Sequence, residues 1–349
     1  MKTFLKLLGG VVALLVVLVA IGVAMLAMRK PKMRPASTEV VERTPERIAR
    51  GKYIAEHVAD CSGCHSGHVA ERYGFPIQPG TEGQGGFVFD EKFQVPGVVC
   101  AQNITPDNET GLGRWTDGEV MRAFREGVNR EGKALFPMMP YAYFRSMSDA
   151  DARAVVAYLR TIRPIRNTVT AQKLKFPVNL LIRSAPEPLS GPVAMPDDST
   201  DHLGHGKYLV TIAGCRECHT AHDGKGQRVP GGDYAGGWEM RGPWGRVVSA
   251  NITPDGATFM GQATKEQFIG RIRSFASFDA TTAPIAPKGR NTVMPWIAYA
   301  GMTDADLGAI FDYMKTVTPI RKQVVVFPDA PDAPLPPGAP APVGAASKS

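Results

Sequence analysis

Cys61-Ser62-Gly63-Cys64-His65 and Cys215-Arg216-Glu217-Cys218-His219 are two copies of one five-residue pattern, C-x-x-C-H. The pattern is the attachment signature of c-type haem. Two thiols one helical turn apart lie on the same face and can form thioether bonds to the two vinyl groups of a porphyrin, and the adjacent imidazole reaches the iron as proximal ligand. The chain is therefore predicted to bind two covalent haem c groups. The attaching residues are Cys61, Cys64, Cys215 and Cys218, and the proximal ligands are His65 and His219.

C-x-x-C pairs occur in two other settings. A thioredoxin-like redox pair needs a βαβ context, which the sequence does not show. Four cysteines and two histidines can also build a zinc site, although here the two motifs stand 154 residues apart. Haem attachment is favoured because both motifs fall at the same place in an internal repeat.

The second half of the chain repeats landmarks of the first in the same order. A Gly-Lys-Tyr stretch precedes each haem motif, at Gly51 and at Gly206. The later landmarks follow in pairs: Asn103-Ile104-Thr105-Pro106-Asp107 with Asn251-Ile252-Thr253-Pro254-Asp255, Met139-Pro140 with Met294-Pro295, and Ser148-Asp149-Ala150-Asp151 with Thr303-Asp304-Ala305-Asp306. Two tandem units of one fold are expected.

Each unit is predicted to consist of a few helices with long connections. Thr116 with Glu119, and Thr264 with Gln267, are typical of capping boxes that open a middle helix. Ser148 and Thr303 are typical N-caps of a final helix with Asp in its first turn. Asn103 and Asn251 are interpreted as turn elements. No strand-rich pattern competes, so an all-α fold is expected.

The sixth iron ligand separates an electron carrier, whose iron has two strong ligands, from an iron that binds oxygen, peroxide or substrate. Met139 follows His65 by 74 residues, and Met294 follows His219 by 75. Both methionines precede proline on an extended loop, a geometry that can hold a thioether over a haem face. Met139 and Met294 are therefore predicted as axial ligands.

Other residues compete for this position. Met138 has Val293 as its counterpart and fails the repeat test, and Met147 and Met302 each directly precede a helix cap, where an apolar residue packs. His68 and His222 follow the proximal histidines too closely to cross to the opposite haem face, which leaves bis-histidine ligation through His202 or His205 as a rival. Cys100, whose counterpart is Ser249, is interpreted as a buried inert thiol; the alternative is a thiolate ligand to the first haem.

The formal net charge of +7 belongs to one short segment. Residues 1–34 carry six cations and no acid, and the remaining 34 basic and 33 acidic side chains nearly cancel. These totals do not support a nucleic-acid-binding body. Leu7 to Met28 is a run of 22 residues without a charge, about 33 Å as a helix, which is enough to cross a bilayer core.

This run is longer than the apolar stretch of a cleaved signal peptide, so an uncleaved signal anchor is favoured, with cleavage as the alternative. Two cations precede the run and four follow it, so the positive-inside rule places the following residues in the cytoplasm. Haem attachment is expected outside the cytoplasm. We therefore expect a single-pass protein of the bacterial inner membrane with its soluble domains in the periplasm.

The sequence divides into five expected segments. These are a membrane anchor (1–35), cytochrome c domain 1 (45–166), a linker (167–200), cytochrome c domain 2 (201–323) and a Pro/Ala-rich tail (324–349).

The chain resembles the multihaem cytochrome c subunits of periplasmic bacterial dehydrogenases, such as those for alcohols and gluconate. The likeness covers roughly residues 45–325. In the first unit it includes four segments: the haem motif, Asn103 to Asp107, Met139 to Tyr141, and Ser148 to Asp151. It implies class I cytochrome c domains, all α, with His/Met iron, and electrons passed from a partner dehydrogenase towards quinone or a terminal oxidase. The best-known members carry three haem motifs, whereas this sequence has two. The leading hypothesis is a membrane-anchored dihaem electron-transfer protein; the alternative is a dihaem enzyme, a thiosulfate dehydrogenase or peroxidase.

Overall fold

The computed structural model describes residues 1–224, 226–242 and 244–330. The predicted Pro/Ala-rich tail lies outside the described residues from position 331 onward. The chain begins with helix α1, Lys2–Met28, which is exposed along most of its length. In the part of the chain that the structure describes, this is the one helix long and apolar enough to span a membrane.

The first unit is built mainly from helices joined by long loops. Its helices are α2 (Pro45–Tyr53), which continues as a π-turn over Ile54–Val58, α3 (Cys61–His65), α4 (Asp117–Glu126), α5 (Tyr141–Phe144) and α6 (Asp149–Leu159). A short helix, α7 (Val178–Leu181), lies between the two units.

The second unit repeats this order. Its helices are α8 (His202–Ile212), α9 (Cys215–Cys218), α10 (Phe259–Gln262), α11 (Lys265–Arg273), α12 (Trp296–Tyr299) and α13 (Asp304–Thr316). The predicted capping boxes at Thr116 and Thr264 are present, as are the predicted N-caps Ser148 and Thr303. The sequence signals for helix starts are therefore confirmed.

The expected all-α fold is wrong. Strands β1 (Val88–Phe89), β2 (Gly97–Cys100) and β3 (Lys173–Leu174) form an antiparallel sheet in the order β1-β2-β3. Strands β4 (Glu239–Gly242) and β5 (Gly245–Val248) form a hairpin. Each strand has two to four residues, too few for an alternating pattern to show in the sequence. The partner of Gly97 is Leu174, so this pairing depends on tertiary contact.

One glycine in each unit explains why the Gly-Lys-Tyr stretch recurs. A Cβ on Gly51 would lie 1.8 Å from the carbonyl oxygen of Ala154, and one on Gly206 would lie 2.1 Å from that of Ala309. The first helix of each unit therefore packs directly on the backbone of the last helix, α2 on α6 and α8 on α13. Any larger residue would force these helices apart.

The π-turn in the first unit has a simple origin. Gly51 precedes Cys61 by ten positions, whereas Gly206 precedes Cys215 by nine. Both ends of the first segment are fixed, one by the α2–α6 contact and the other by the haem motif. The extra residue is taken up within the helix as a wider turn over Ile54–Val58.

The two units share a hydrophobic core. One continuous cluster includes Ile54 and Val156 of the first unit and Leu209 and Phe311 of the second. A second cluster packs Phe75, Phe87 and Phe93 of the first unit around Trp244 of the second. The units are joined over a broad apolar contact.

Polar groups also cross between the units in a reciprocal pattern. The phenol of Tyr208 accepts from the backbone N–H of Ser148, and that of Tyr53 accepts from the N–H of Thr303. The amide of Asn291 donates to the backbone of the first unit at Ala70 and Arg72 (2.9 and 3.0 Å). Both polar and apolar contacts therefore fix the relative position of the two units.

Candidate functional site

The two C-x-x-C-H motifs form short helices, α3 and α9, each preceded by a residue in the left-handed conformation. Asp60 has φ 46° before the first motif, and Gly214 has φ 67° before the second. Asp is among the few residues with a side chain that tolerate this conformation. Its carboxylate accepts from the backbone N–H of Gly63 and so caps α3. This backbone turn separates α3 and α9 from the helices before them.

The five cysteines, all within the described residues, form no disulfide. Burial raises the pKa of Cys61 and Cys215 to about 12, so these two thiols are neutral at physiological pH before haem attachment. No group of three or more His, Cys, Asp or Glu side chains within the described residues is arranged to bind a metal. The zinc alternative has no support in this arrangement.

Both proximal histidines are held in the same way. The Nδ1–H of His65 donates to the backbone carbonyl of Gln102 over 2.6 Å, and that of His219 donates to the carbonyl of Ala250 over 2.7 Å. Because a carbonyl only accepts hydrogen bonds, Nδ1 must carry the proton and the Nε2 lone pair is left for a metal. Burial lowers the pKa of both imidazoles, which favours this neutral, ligating form. The free Nε2 lone pairs of His65 and His219 therefore fit ligation of haem iron.

The Asn-Ile-Thr-Pro-Asp segment explains why those two carbonyls stand where they do. Asn103 directly follows Gln102; its side chain accepts from the N–H of Thr105 over 2.9 Å and donates to the carbonyl of Ile165 over 2.7 Å. Asn251 makes the same pair of bonds, with Thr253 at 3.0 Å and Ile320 at 2.7 Å. The prediction that both asparagines are turn elements is confirmed.

The predicted methionine loops have matching backbones. Pro140 has φ −80° and ψ 48°, and Pro295 has φ −77° and ψ 55°, which is close to an inverse γ-turn. In each loop the methionine carbonyl accepts a 2.7 Å bond from the aromatic residue two positions on. Both half-buried methionines, Met139 and Met294, are thus presented by the same turn.

Neighbouring residues separate the methionine candidates. Met139 and Met294 pack against the core cluster that Cys61 and Cys215 also touch, whereas Met138 packs into the aromatic cluster around Trp244. Met147 and Met302 are almost fully buried within the main core. The structure therefore brings Met139 and Met294, and not Met138, to the cluster that contacts the attachment cysteines.

The other histidines have partners of their own. His68 stacks on Phe75 with ring centroids 4.3 Å apart, and His222 contacts Glu217 through Nε2 at 3.1 Å. His205 is bonded to Asp306 and His202 to Asp198 and Asp312. These contacts give His202 and His205 structural roles in the second unit.

Cys100 is the last residue of β2, and its backbone pairs with Val88. Two residues further on, Gln102 supplies the carbonyl that holds His65. Burial raises the pKa of the Cys100 thiol, which disfavours a thiolate. Cys100 therefore lies on the segment that supports the proximal histidine.

Tyr299 lies between the two attachment segments, a placement that the sequence did not reveal. Its phenol donates to the carbonyl of Ala213 over 3.1 Å. Burial raises its pKa well above the usual value, and the charge of Asp60, which directly precedes the first motif, adds to this. One side chain is thus within electrostatic reach of both haem motifs.

A second tyrosine connects the units at the same place. The phenol of Tyr143, from the first unit, donates to the carboxylate of Glu217, which stands between the two cysteines of the second motif. Sequence reasoning did not find these two contacts. It missed the backbone carbonyls of Gln102 and Ala250, although both directly precede a repeated asparagine, which is a usable signal.

Comparison with known proteins places these features in a class. Residues 48–163 match the family model described as Cytochrome c. The chain therefore contains a cytochrome c domain, and such a domain binds haem c covalently. This match covers the first unit.

Three relatives show which kinds of cytochrome protein the chain is similar to. The chain is 27% identical over 286 residues to the cytochrome c subunit of alcohol dehydrogenase (quinone) from Gluconobacter oxydans, covering 77% of this chain and 54% of that protein. It is 28% identical over 279 residues to a "Diheme cytochrome c-type" protein of Cereibacter sphaeroides, covering 76% of this chain and 86% of the relative. It is 34% identical over 200 residues to a nicotinate dehydrogenase subunit of Pseudomonas putida, covering 56% of this chain and 16% of that protein.

The resemblance to cytochrome c subunits of bacterial dehydrogenases, predicted from the sequence, is thereby confirmed. The chain spans about half the length of the alcohol dehydrogenase subunit and a smaller part of the nicotinate dehydrogenase subunit. Electron transfer by a cytochrome c is the function that these relatives support.

Proposed function

We propose that the chain is a membrane-anchored dihaem cytochrome c that carries electrons from a partner dehydrogenase to a quinone or a terminal oxidase. One haem is attached through Cys61 and Cys64 with His65 and Met139 on iron. The other is attached through Cys215 and Cys218, with His219 and Met294 on iron.

The observation that carries the proposal is the repeated hydrogen bond from each proximal histidine to a backbone carbonyl. Because His219 and Ala250 reproduce the geometry of His65 and Gln102, the second motif has the same support as the motif inside the matched cytochrome c domain. This supports a second haem and a second domain over 201–323, after a first domain over 45–166 and a linker over 167–200.

Haem c supplies one-electron redox chemistry when bound, and the protein's part is attachment, ligation and control of access. His65 and His219 keep Nε2 unprotonated through the Nδ1 bond. Met139 and Met294, as thioether ligands, would favour a high reduction potential and would leave no position for substrate on the iron. The shared core and Tyr299 hold the two sites next to each other, which suits transfer within one chain.

The N-terminal helix and the relatives support the proposed location. Helix α1 is a candidate single span, and we propose that it stays attached and holds the two domains in the periplasm, at a bacterial inner membrane. The alcohol, fructose and gluconate dehydrogenase relatives are cytochrome subunits, which supports a dehydrogenase as the electron donor.

Haem content and ligand replacement test this proposal. Protein made with its maturation machinery should retain two haems per chain after denaturation. Replacing Met139 or Met294 with alanine should change the optical spectrum and allow cyanide or imidazole to bind one iron. Met138→Ala, one position away in the aromatic cluster, is the matched control and should keep the parent spectrum. One haem per chain, or an unchanged spectrum in both methionine variants, would contradict the assignment.

A further inference from the structure

The segment that follows α1 is bound along the surface of the first unit. Lys32 pairs with Glu187 at 2.9 Å, and Arg34 pairs at 2.8 Å with Glu126, whose side chain is only 2% exposed. Val41 is buried, and its N–H donates to Asp117 over 2.9 Å. Because this segment is held at several points, it fixes the orientation of α1 relative to the first unit. Helix α1 is therefore not joined to the unit by a flexible linker.

The end of α1 also contacts the rest of the protein directly. The guanidinium of Arg183 donates to the carbonyl of Ala27, in the last turn of the helix, where backbone carbonyls lack partners within the helix. A cation in this position also complements the helix dipole. Helix α7, just before Arg183, packs against α1. The half-buried residues of α1 are confined to its last turns: Gly22, Val23 and Leu26.

Bilayer dimensions locate this contact. The charge-free run begins at Leu7, and a hydrocarbon core of about 30 Å takes up about 20 helical residues. A core that begins at Leu7 therefore ends near Leu26. Helix α7 consequently lies at the depth where the hydrocarbon meets the lipid headgroups.

The residues around α7 suit that depth. Phe176 and Leu181 are large apolar side chains with 67% and 49% exposure, whereas Leu180 and Ile182 are buried beneath them. Arg29 and Lys30 are exposed at the end of α1, and Arg183 stands beside them. Exposed aromatic and aliphatic side chains next to clustered cations are the features that bind the surface of a bilayer with anionic lipids.

We infer that the segment 176–183 is a second membrane contact, with Phe176 and Leu181 inserted at the interface and Arg29, Lys30 and Arg183 facing anionic headgroups. The inference rests on the proposed anchoring by α1. It means that the two haem units are held in one orientation on the membrane surface.

Photocrosslinking of the full chain in vesicles tests the inference. With p-benzoylphenylalanine in place of Phe176, illumination should give lipid adducts, and phosphatidylglycerol in the vesicle should raise their yield several-fold. The control places the same group at Val40, which follows the end of α1 by 12 residues and is 83% exposed. It should give no lipid adducts. Arg183→Glu should cancel the phosphatidylglycerol effect, and Arg183→Lys should retain it.

Carbonate washing of the same vesicles separates the two ways in which the inference can fail. Absence of adducts at position 176 in protein that stays in the washed membrane would overturn the second contact and leave the anchor in place. Release of the protein by carbonate would instead overturn the anchor, and the second contact with it.

Discussion

Tyr208 and Asp151 belong to different units of the repeat, and the phenol of Tyr208 donates to the carboxylate of Asp151 over 2.6 Å. Tyr53 makes the reciprocal contact with Asp306. Each tyrosine belongs to a Gly-Lys-Tyr stretch and each aspartate to the first turn of a final helix. A repeated sequence therefore produces a pseudo-symmetric polar contact, because each unit offers the same donor and the same acceptor to the other.

Tyr208→Phe should destabilise the protein by about 1–3 kcal/mol, since it removes a bond to a buried carboxylate and leaves the N–H of Ser148 without its partner. Denaturant unfolding should also lose cooperativity between the two units. Tyr158→Phe removes a phenol bonded within the first unit, to Glu56, and is the control. Tyr158→Phe should lower the denaturant midpoint, and the two units should still unfold in one transition. A single transition of unchanged midpoint in Tyr208→Phe would contradict the role of this contact.

Asn103→Ala should lower stability by about 1–3 kcal/mol, because a buried residue that bonds to Thr105 and Ile165 would be lost. The carbonyl of Gln102 would lose its fixed position, so the reduction potential of the first haem should shift as well. Potentiometric titration with thermal unfolding measures both effects. Asn108→Ala, at an exposed position in the same loop, should change neither. A stable Asn103→Ala protein with the parent potential would be the contrary result.

Cys100→Ser should leave the optical spectrum, the reduction potentials and cyanide binding as in the parent protein. The expected counterpart, Ser249, is wrong: the carbonyl of Ser249 accepts from the N–H of Gly237 as that of Ala101 accepts from the N–H of Gly86, so the residue that matches Cys100 is Val248. The second unit therefore has no thiol at this position. Spectra of the oxidised and reduced variant check this expectation. A new ligand-field band, or loss of a sulfur-oxidising activity, would show that Cys100 is an iron ligand and would revive the enzymatic hypothesis.

Stability should depend on pH through His202. The imidazole donates hydrogen bonds to the carboxylates of Asp312 and Asp198, and these bonds, together with the carboxylate charges, raise the pKa of His202 above the usual 6.5. A raised folded pKa adds stability that is fully present below about pH 6.5 and is lost as the pH rises through the folded value. His202→Gln should therefore cost more stability near pH 6 than near about pH 9. The side chain is 42% exposed, so the difference should stay under about 1 kcal/mol.

Denaturant midpoints at the two pH values measure this difference. Lys265→Gln is a matched control because Lys265 also pairs with Asp312, and a lysine keeps its charge across this range. The loss of stability caused by Lys265→Gln should be the same at both pH values. An equal cost of His202→Gln at both values would show that the imidazole charge contributes nothing.

Local signals explain which predictions were confirmed. A helix cap needs only the residues within one turn, so Thr116 with Glu119 and Thr264 with Gln267 could be found from spacing alone. The turn at Asn103 is equally local.

The sequence did not predict the strands because their pairing is not local. β2 has four residues and pairs with β3 about 75 positions away, so no window of the sequence contains both partners. The core shared by Leu209 and Val156, and the position of Tyr299 between the motifs, likewise depend on how the two units meet.

The sequence by itself determined the two haem motifs, the repeat and the helix starts, since these depend on covalent chemistry and on hydrogen bonds between near neighbours. Tertiary structure alone decided which backbone carbonyl holds each proximal histidine and how α7 meets the end of α1. Those arrangements bring together residues that are distant in the chain, and their geometry is set by packing between elements.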